Sequence, residues 1–276
     1  MKFNTLLLAL AALGSAACSD NGNADNVPAA ADIAGTYGGY ALTSCAYFSN
    51  TCSADQTVTV TENADGSAAI AFDSDMGAFL IPDVRIDAAE GGRSLSGEGT
   101  AQMGMQGNIS TYDCTFEGVI ALRTEATMRF SVPAVMGGLT VEFRTGEAPA
   151  DLLLAGTYKG YSDADCAYFE DRYTDDESLK MTANGDGTLA VVFESSAWGA
   201  FSVASAAIES EGGEYLLSGS GSVTMGMGES TSSYDFTMTG RVDAAKEVYS
   251  IAFHVPAVMG GLTVTLLPGT APATEE

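Results

Sequence analysis

The 276-residue chain carries one histidine, one tryptophan and only eleven Lys and Arg residues, set against thirty-six Asp and Glu. Each shortage removes a class of function. A net charge of −25 repels phosphate backbones, so no nucleic-acid partner is expected, and direct attraction to anionic lipid is disfavoured for the same reason. A triad built on His254 would need a nucleophile and an orienting carboxylate beside it, yet the matching position of the internal repeat described below is Ser131, and no Gly-x-Ser-x-Gly elbow occurs. The chain is therefore read as non-enzymatic. CxxC, HExxH and EF-hand patterns are missing too, so neither a metal nor a cofactor is expected. Helical periodicity is nowhere sustained, and no apolar run approaches the roughly 18 residues that a membrane-spanning helix requires.

What is present begins at the N-terminus. Lys2, an apolar run over residues 6–13 and Gly14-Ser15-Ala16-Ala17 read as a signal peptide over residues 1–17, so the mature chain is exported. Cys18 directly after Ser-Ala-Ala resembles a bacterial lipobox, with Ser15 where Leu is usual. That resemblance implies Cys18 as the lipid attachment site; the alternative is cleavage at the same bond, leaving a free thiol. Residues 18–32, rich in Asp, Asn, Gly and Ala, read as a flexible tether. The expected location is the bacterial cell envelope, on the outer membrane, with the membrane a partner through the anchor and the face undetermined.

The rest is a duplication. Ala34-Gly35-Thr36-Tyr37 recurs as Ala155-Gly156-Thr157-Tyr158, Cys45-Ala46-Tyr47-Phe48 as Cys166-Ala167-Tyr168-Phe169, and Met103-Gly104-Met105 as Met225-Gly226-Met227. The segment VPAVMGGLTV at 132–141 returns unchanged at 255–264. Two copies of one domain are expected, at 33–148 and 154–270, joined by a short link. Within each copy the apolar period is two. Candidate strands in the first copy cover 36–43, 56–61, 67–72, 79–87, 94–103, 111–120, 126–132 and 139–144, with Asn63-Ala64-Asp65-Gly66 as a hairpin turn. Asn184 to Gly187 is the matching turn of the second copy; calcium ligation is the rival reading of its acidic residues. Eight short strands separated by turns close into a barrel without an edge, giving an all-β chain of two tandem eight-stranded antiparallel up-and-down barrels.

Gly-Thr-Tyr-x-Gly at the first strand, QTVTVTENADGS, FLIPDVRI, a Gly-Gly turn, LSGEG and a closing LTVEF together resemble the calycin-like β-barrel domain of exported lipoproteins of Bacteroides and relatives. The resemblance covers both copies and implies a lipocalin-like barrel; it implies little about activity. Gly-Thr-Tyr replaces the lipocalin Gly-x-Trp. The late basic residue of lipocalins has only Arg144 as a candidate, with Leu267 in copy two, which weakens the case for a lipocalin-style cavity.

Several groups are singled out by chemistry. Met103 and Met105, like Met225 and Met227, share one strand face, which fits an apolar interior or a Cu(I) site. The repeated VPAVMGGLTV loop reads as a plug of the barrel end or as an apolar lip with Met136 and Met259 at its tip. Apart from Cys18, four cysteines allow three pairings. Cys45 with Cys52 closes a loop of about eight residues, although copy two has Tyr173 and Phe236 at the Cys52 and Cys114 positions, so Cys166 pairs elsewhere or stays free. Inward candidates are Tyr37, Val58, Val60, Phe72, Val84, Leu95, Met103, Met105, Phe116, Phe130 and Val141, enough to fill a barrel, leaving recognition to the loops at its ends. A non-enzymatic binding or interaction module is the leading expectation, with a protein, glycan or small-molecule partner unidentified. A lipocalin-type carrier, a spacer, or an envelope hydrolase using Asp83, Asp113 or Asp235 are the alternatives.

Overall fold

A computed structural model describes residues 30–105, 108–121, 124–227 and 230–273. The segments expected to be a signal peptide and, apart from its last three residues, a tether lie outside them, Cys18 included. The first barrel consists of β1 (Gly35–Ser44), β2 (Thr51–Glu62), β3 (Ala68–Ser74), β4 (Gly77–Ala89), β5 (Gly92–Met105), β6 (Asn108–Ala121), β7 (Glu125–Val132) and β8 (Leu139–Thr145). The second consists of β9 (Gly156–Cys166), β10 (Phe169–Ala183), β11 (Leu189–Ser195), β12 (Gly199–Glu211), β13 (Glu214–Met227), β14 (Ser230–Asp243), β15 (Tyr249–Val255) and β16 (Leu262–Pro268). Within each barrel every strand pairs antiparallel with its chain neighbours, and β8 returns to β1 as β16 returns to β9. The expected all-β, tandem eight-stranded architecture is what the chain adopts.

Alternation explains why these segments are strands. Val58 and Val60 on β2 point inward and are buried, while Thr57 and Thr59 between them face solvent. The β2–β3 turn closes on itself: Asp65 Oδ1 accepts from the Ser67 N–H at 3.0 Å and hydroxyl at 2.8 Å, and Asn63 Nδ2 donates to Pro82 O at 2.9 Å. Asp186 engages Thr188 in the same way, at 3.0 and 2.6 Å. In both turns the hydroxyl and N–H hold the carboxyl below its ordinary range. The carboxylate of the Asn184–Gly187 segment is thus occupied by its own turn.

The interiors are filled. Phe72, Phe79, Phe116, Phe130 and Phe143 pack in the first barrel, with Phe79 and Phe130 centroids 5.0 Å apart. Phe193, Phe201, Phe236 and Phe253 do so in the second, with Phe201 and Phe253 at 4.9 Å. Each such ring contributes about 2 to 3 kcal/mol by leaving water. All the inward candidates named from sequence are buried except Met105, whose side chain, like that of Met227, lies outside what the structure describes.

Because β1 enters at one end, each barrel has a base, where the chain comes in, and a tip, where the β1–β2 and β7–β8 loops of the repeat lie. The base is capped from the preceding residues. A 3-10 turn at Ala30–Asp32 brings Ile33 into the first core, and Tyr37 Oη donates to Ile33 O at 2.6 Å. A five-residue helix in the link, α1 (Ala150–Leu154), does the same with Leu154, to whose carbonyl Tyr158 Oη donates at 2.8 Å. Sequence reading expected only a short link here, with no helix. At the tip, Val135 and Val258 of the repeated loop pack against the two cores.

The Cys45–Cys52 disulfide expected from sequence is not formed; both carry free thiols, as do Cys114 and Cys166. Sequence spacing is satisfied but the faces are wrong. Ala41 and Cys45 belong to the interior side of the first barrel, whereas Cys52 pairs opposite Leu42, on the outer side of the wall. Cys114 is buried, and desolvation pushes its thiol up to about 11.

Candidate functional site

Since side chains occupy both interiors, exposed groups at the barrel ends become the candidates. Nine large hydrophobic residues are exposed among the described ones, and four of them stand at the two tips: Tyr47 at 79%, Tyr168 at 81%, Met136 at 39% and Met259 at 48%. They are brought together by one backbone contact in each barrel. Ala46 N–H donates to Met136 O at 3.2 Å, and Ala167 N–H donates to Met259 O at 3.2 Å, tying the Cys-Ala-Tyr-Phe turn to the VPAVMGGLTV loop. The approach is close: a Cβ on Gly137 or Gly260 would lie 2.8 Å from the Ala46 or Ala167 Cβ. Cys45 and Cys166 anchor the turn from below, each sulfur accepting from the following tyrosine N–H at 3.3 and 3.4 Å.

The methionines hold a strained backbone. Met136 has φ 49° and Met259 φ 50°, a left-handed conformation that costs a residue with a Cβ about 1 kcal/mol and that Asn or Gly would adopt more readily. Each loop is therefore both of the things its sequence suggested, a plug through Val135 or Val258 and a displayed apolar tip through Met136 or Met259. The two tyrosines were missed, because an aromatic beside a strand reads as core; the repetition of Cys-Ala-Tyr-Phe was the available signal.

Beneath its tip the second barrel holds a small polar island. Glu177 is buried, and Ser195 Oγ donates to Glu177 Oε1 at 2.6 Å while accepting from Trp198 N–H at 3.2 Å. Burial pushes the Glu177 carboxyl up, and the Ser195 and Ser162 hydroxyls partly offset this. Trp198 Nε1 is buried without a partner among the described residues. The corresponding residues of the first barrel are Gln56 and Ser74, which are bonded separately, Gln56 Nε2 donating to Ala54 O and Ser74 Oγ to Gly77 O, both at 3.0 Å.

On the outer wall of the second barrel, carboxylate oxygens of Asp163, Asp165 and Asp171 lie within 4.8 Å of one another, a set of hard oxygen donors of the kind a divalent cation takes. Sequence reading weighed metals only at the Asn184–Gly187 turn and the methionine pairs and missed this convergence, since the three belong to two strands and a bulge. Burial and then the charges of Asp165 and Asp171 push the Asp163 carboxyl up. The grouping follows from hairpin construction: Asp171 N–H donates to Asp165 Oδ1 at 2.8 Å, as Asn50 N–H donates to Ser44 Oγ at 2.9 Å in the first barrel.

Other singled-out residues stand apart. Asp83, Asp113 and Asp235 are exposed on outer walls. His254 is exposed with Nδ1 3.0 Å from Thr263 Oγ1. Arg144 donates to Glu142 Oε1 at 2.7 Å on the outer face instead of entering the interior. Met103 is buried and Met225 half-buried against the cores, as an apolar interior requires. A shallow concavity of about 570 Å³ lies on the first barrel's wall, lined by Thr57, Thr59, Ala71, Leu80, Thr100 and Gln102.

Two closed up-and-down barrels with capped ends define a tandem all-β protein of the calycin type. The model of the calycin-like beta-barrel domain family matches residues 33–145 and 154–266, and the chain belongs to that family. Among solved structures, a candidate outer membrane protein of Bacteroides fragilis NCTC 9343 is similar, with 23% identity, a TM-score of 0.68, and coverage of 87% of this chain and 98% of that one. At that identity the likeness concerns fold. A Nostoc punctiforme PCC 73102 protein of unknown function is 11% identical over 86% of this chain and 97% of its own, with a TM-score of 0.23. No curated protein matches the chain.

Proposed function

We propose that this chain is a lipid-anchored protein of the bacterial outer membrane, held through Cys18, that acts as a non-enzymatic binding module presenting loops on two rigid barrels. The observation that carries this reading is the packing of phenylalanines through both interiors, which gives the barrels stability and leaves recognition to their outer surfaces. Carriage of a small hydrophobic ligand would require displacing several of those rings. The lipobox-like sequence at Cys18 supports the anchor, and the Bacteroides fragilis outer-membrane likeness supports the location. Two acyl chains would make attachment effectively irreversible at ~0.8 kcal/mol per buried methylene. The test has two arms. Cys18→Ser should move the protein from the membrane to the soluble fraction of lipoprotein-processing cells; unchanged membrane retention would overturn the anchor. Native mass spectrometry of envelope-purified protein should show the acylated chain alone; a stoichiometric small molecule held by either barrel would overturn the binding-platform reading in favour of a carrier.

A further inference from the structure

We propose that the two barrel tips are paired binding sites for a neutral, repeating carbohydrate, each built on an exposed tyrosine ring flanked by a left-handed methionine. The inference rests on the binding-platform reading and names its ligand class. The first support is strain kept twice: the backbone at Met136 and Met259, at φ 49° and 50°, favours residues other than Met, yet both copies place a thioether there. Backbone geometry does not select that side chain, so an outward role does. The second is rigidity. Tyr47 and Tyr168, 79% and 81% exposed, sit on turns locked to the methionine loops by the Ala46–Met136 and Ala167–Met259 hydrogen bonds. A flat ring on an anchored turn has only two side-chain torsions to fix when its π face meets the C–H-rich face of a sugar ring, so the entropic cost is small. The same hairpins carry polar groups, Ser44 and Asn50 in one and Asp165 and Asp171 in the other, bonded to each other across the turn.

Size and number choose the ligand. One tyrosine and one methionine offer roughly 200 Å², far below the ~800 Å² per partner of a standard protein interface, but comparable to the face of one or two sugar residues. Two equivalent platforms on one chain match a polymer that repeats, where two weak contacts reinforce each other. The net charge of −25 repels uronate, sulfate and phosphate polymers, which turns the choice among these and uncharged polysaccharides toward neutral ones.

The test is native affinity electrophoresis of the full chain in a polyoxyethylene detergent, in gels containing a neutral β-glucan, an α-glucan, a galactomannan or polygalacturonate. At least one neutral polymer should retard the chain and polygalacturonate should not. Tyr47→Ala or Tyr168→Ala should each weaken retardation about ten-fold, the double variant should abolish it, and Tyr→Phe at both positions should retain it. No retardation by any neutral polymer, equal retardation of the double Ala variant, or preference for polygalacturonate would overturn the proposal. So would concentration-dependent self-association that the double Ala variant loses. If retardation is absent while native mass spectrometry finds empty barrels, the carbohydrate inference fails alone; a ligand inside a barrel defeats the platform reading itself.

Discussion

Glu177 shows what a single buried group contributes. Its carboxyl is pushed up by burial, so the folded chain holds the proton more tightly than the unfolded one. The stability it lends is complete below the unfolded carboxyl range and is lost as pH rises through the folded value. Ionising it in the folded chain carries a burial penalty that a Gln, as at position 56 of the first repeat, avoids. Glu177→Gln should therefore stabilise the second barrel more at pH 7 than at pH ~4, where the advantage should vanish. Urea midpoints at the two pH values check this; an equal difference at both would mean that titration is not the cause. The same scale explains the cysteine misreading. A seven-residue separation permits a Cys45–Cys52 bond but does not say on which side of the wall each side chain falls, and the β1–β2 pairing places them on opposite sides.

At the level of elements, nearly everything was legible. Period-two alternation and Asn/Asp-Gly turns placed all eight strands of the first repeat within a few residues. The misfit is at β2 and β10, which begin at Thr51 and Phe169, well before the alternating stretches. Left-handed Asp55, Asp171 and Asp176 insert bulges there, and a bulge breaks the parity that pattern reading follows. The tip was half-legible: Met136 and Met259 stood beside Gly-Gly, whereas Tyr47 and Tyr168 became a site only once the hairpin turned them outward. Barrel closure depends on two glycines that composition cannot distinguish from the rest. A Cβ on Gly39 would lie 1.9 Å from Arg144 O, and one on Gly160 would lie 1.8 Å from Leu267 O. Gly160→Ala should push β9 from β16 and destabilise the second barrel by about 3 kcal/mol in equilibrium unfolding. A loss under about 0.5 kcal/mol would show that the closing pair adjusts without strain.

For the whole molecule, the two hydrophobic cores share no residue, and the link between them is α1, whose Leu154 caps the second. Residues 30–148 and 149–273 should each fold alone, melting cooperatively at temperatures that match two transitions of the full chain. A half that remains unfolded by circular dichroism and proton NMR would argue for mutual dependence. The unchanged VPAVMGGLTV segment has one more consequence. It leads into the last strand of each barrel, so the closing strands β8 and β16 share their first three residues, Leu-Thr-Val. During refolding from denaturant, an open first barrel meets two rival closing strands at once, and capture of the wrong one yields an intertwined misassembly. In the exported chain proposed above, vectorial emergence would remove the competition, because β8 would arrive and seal its barrel while β16 was still behind the membrane.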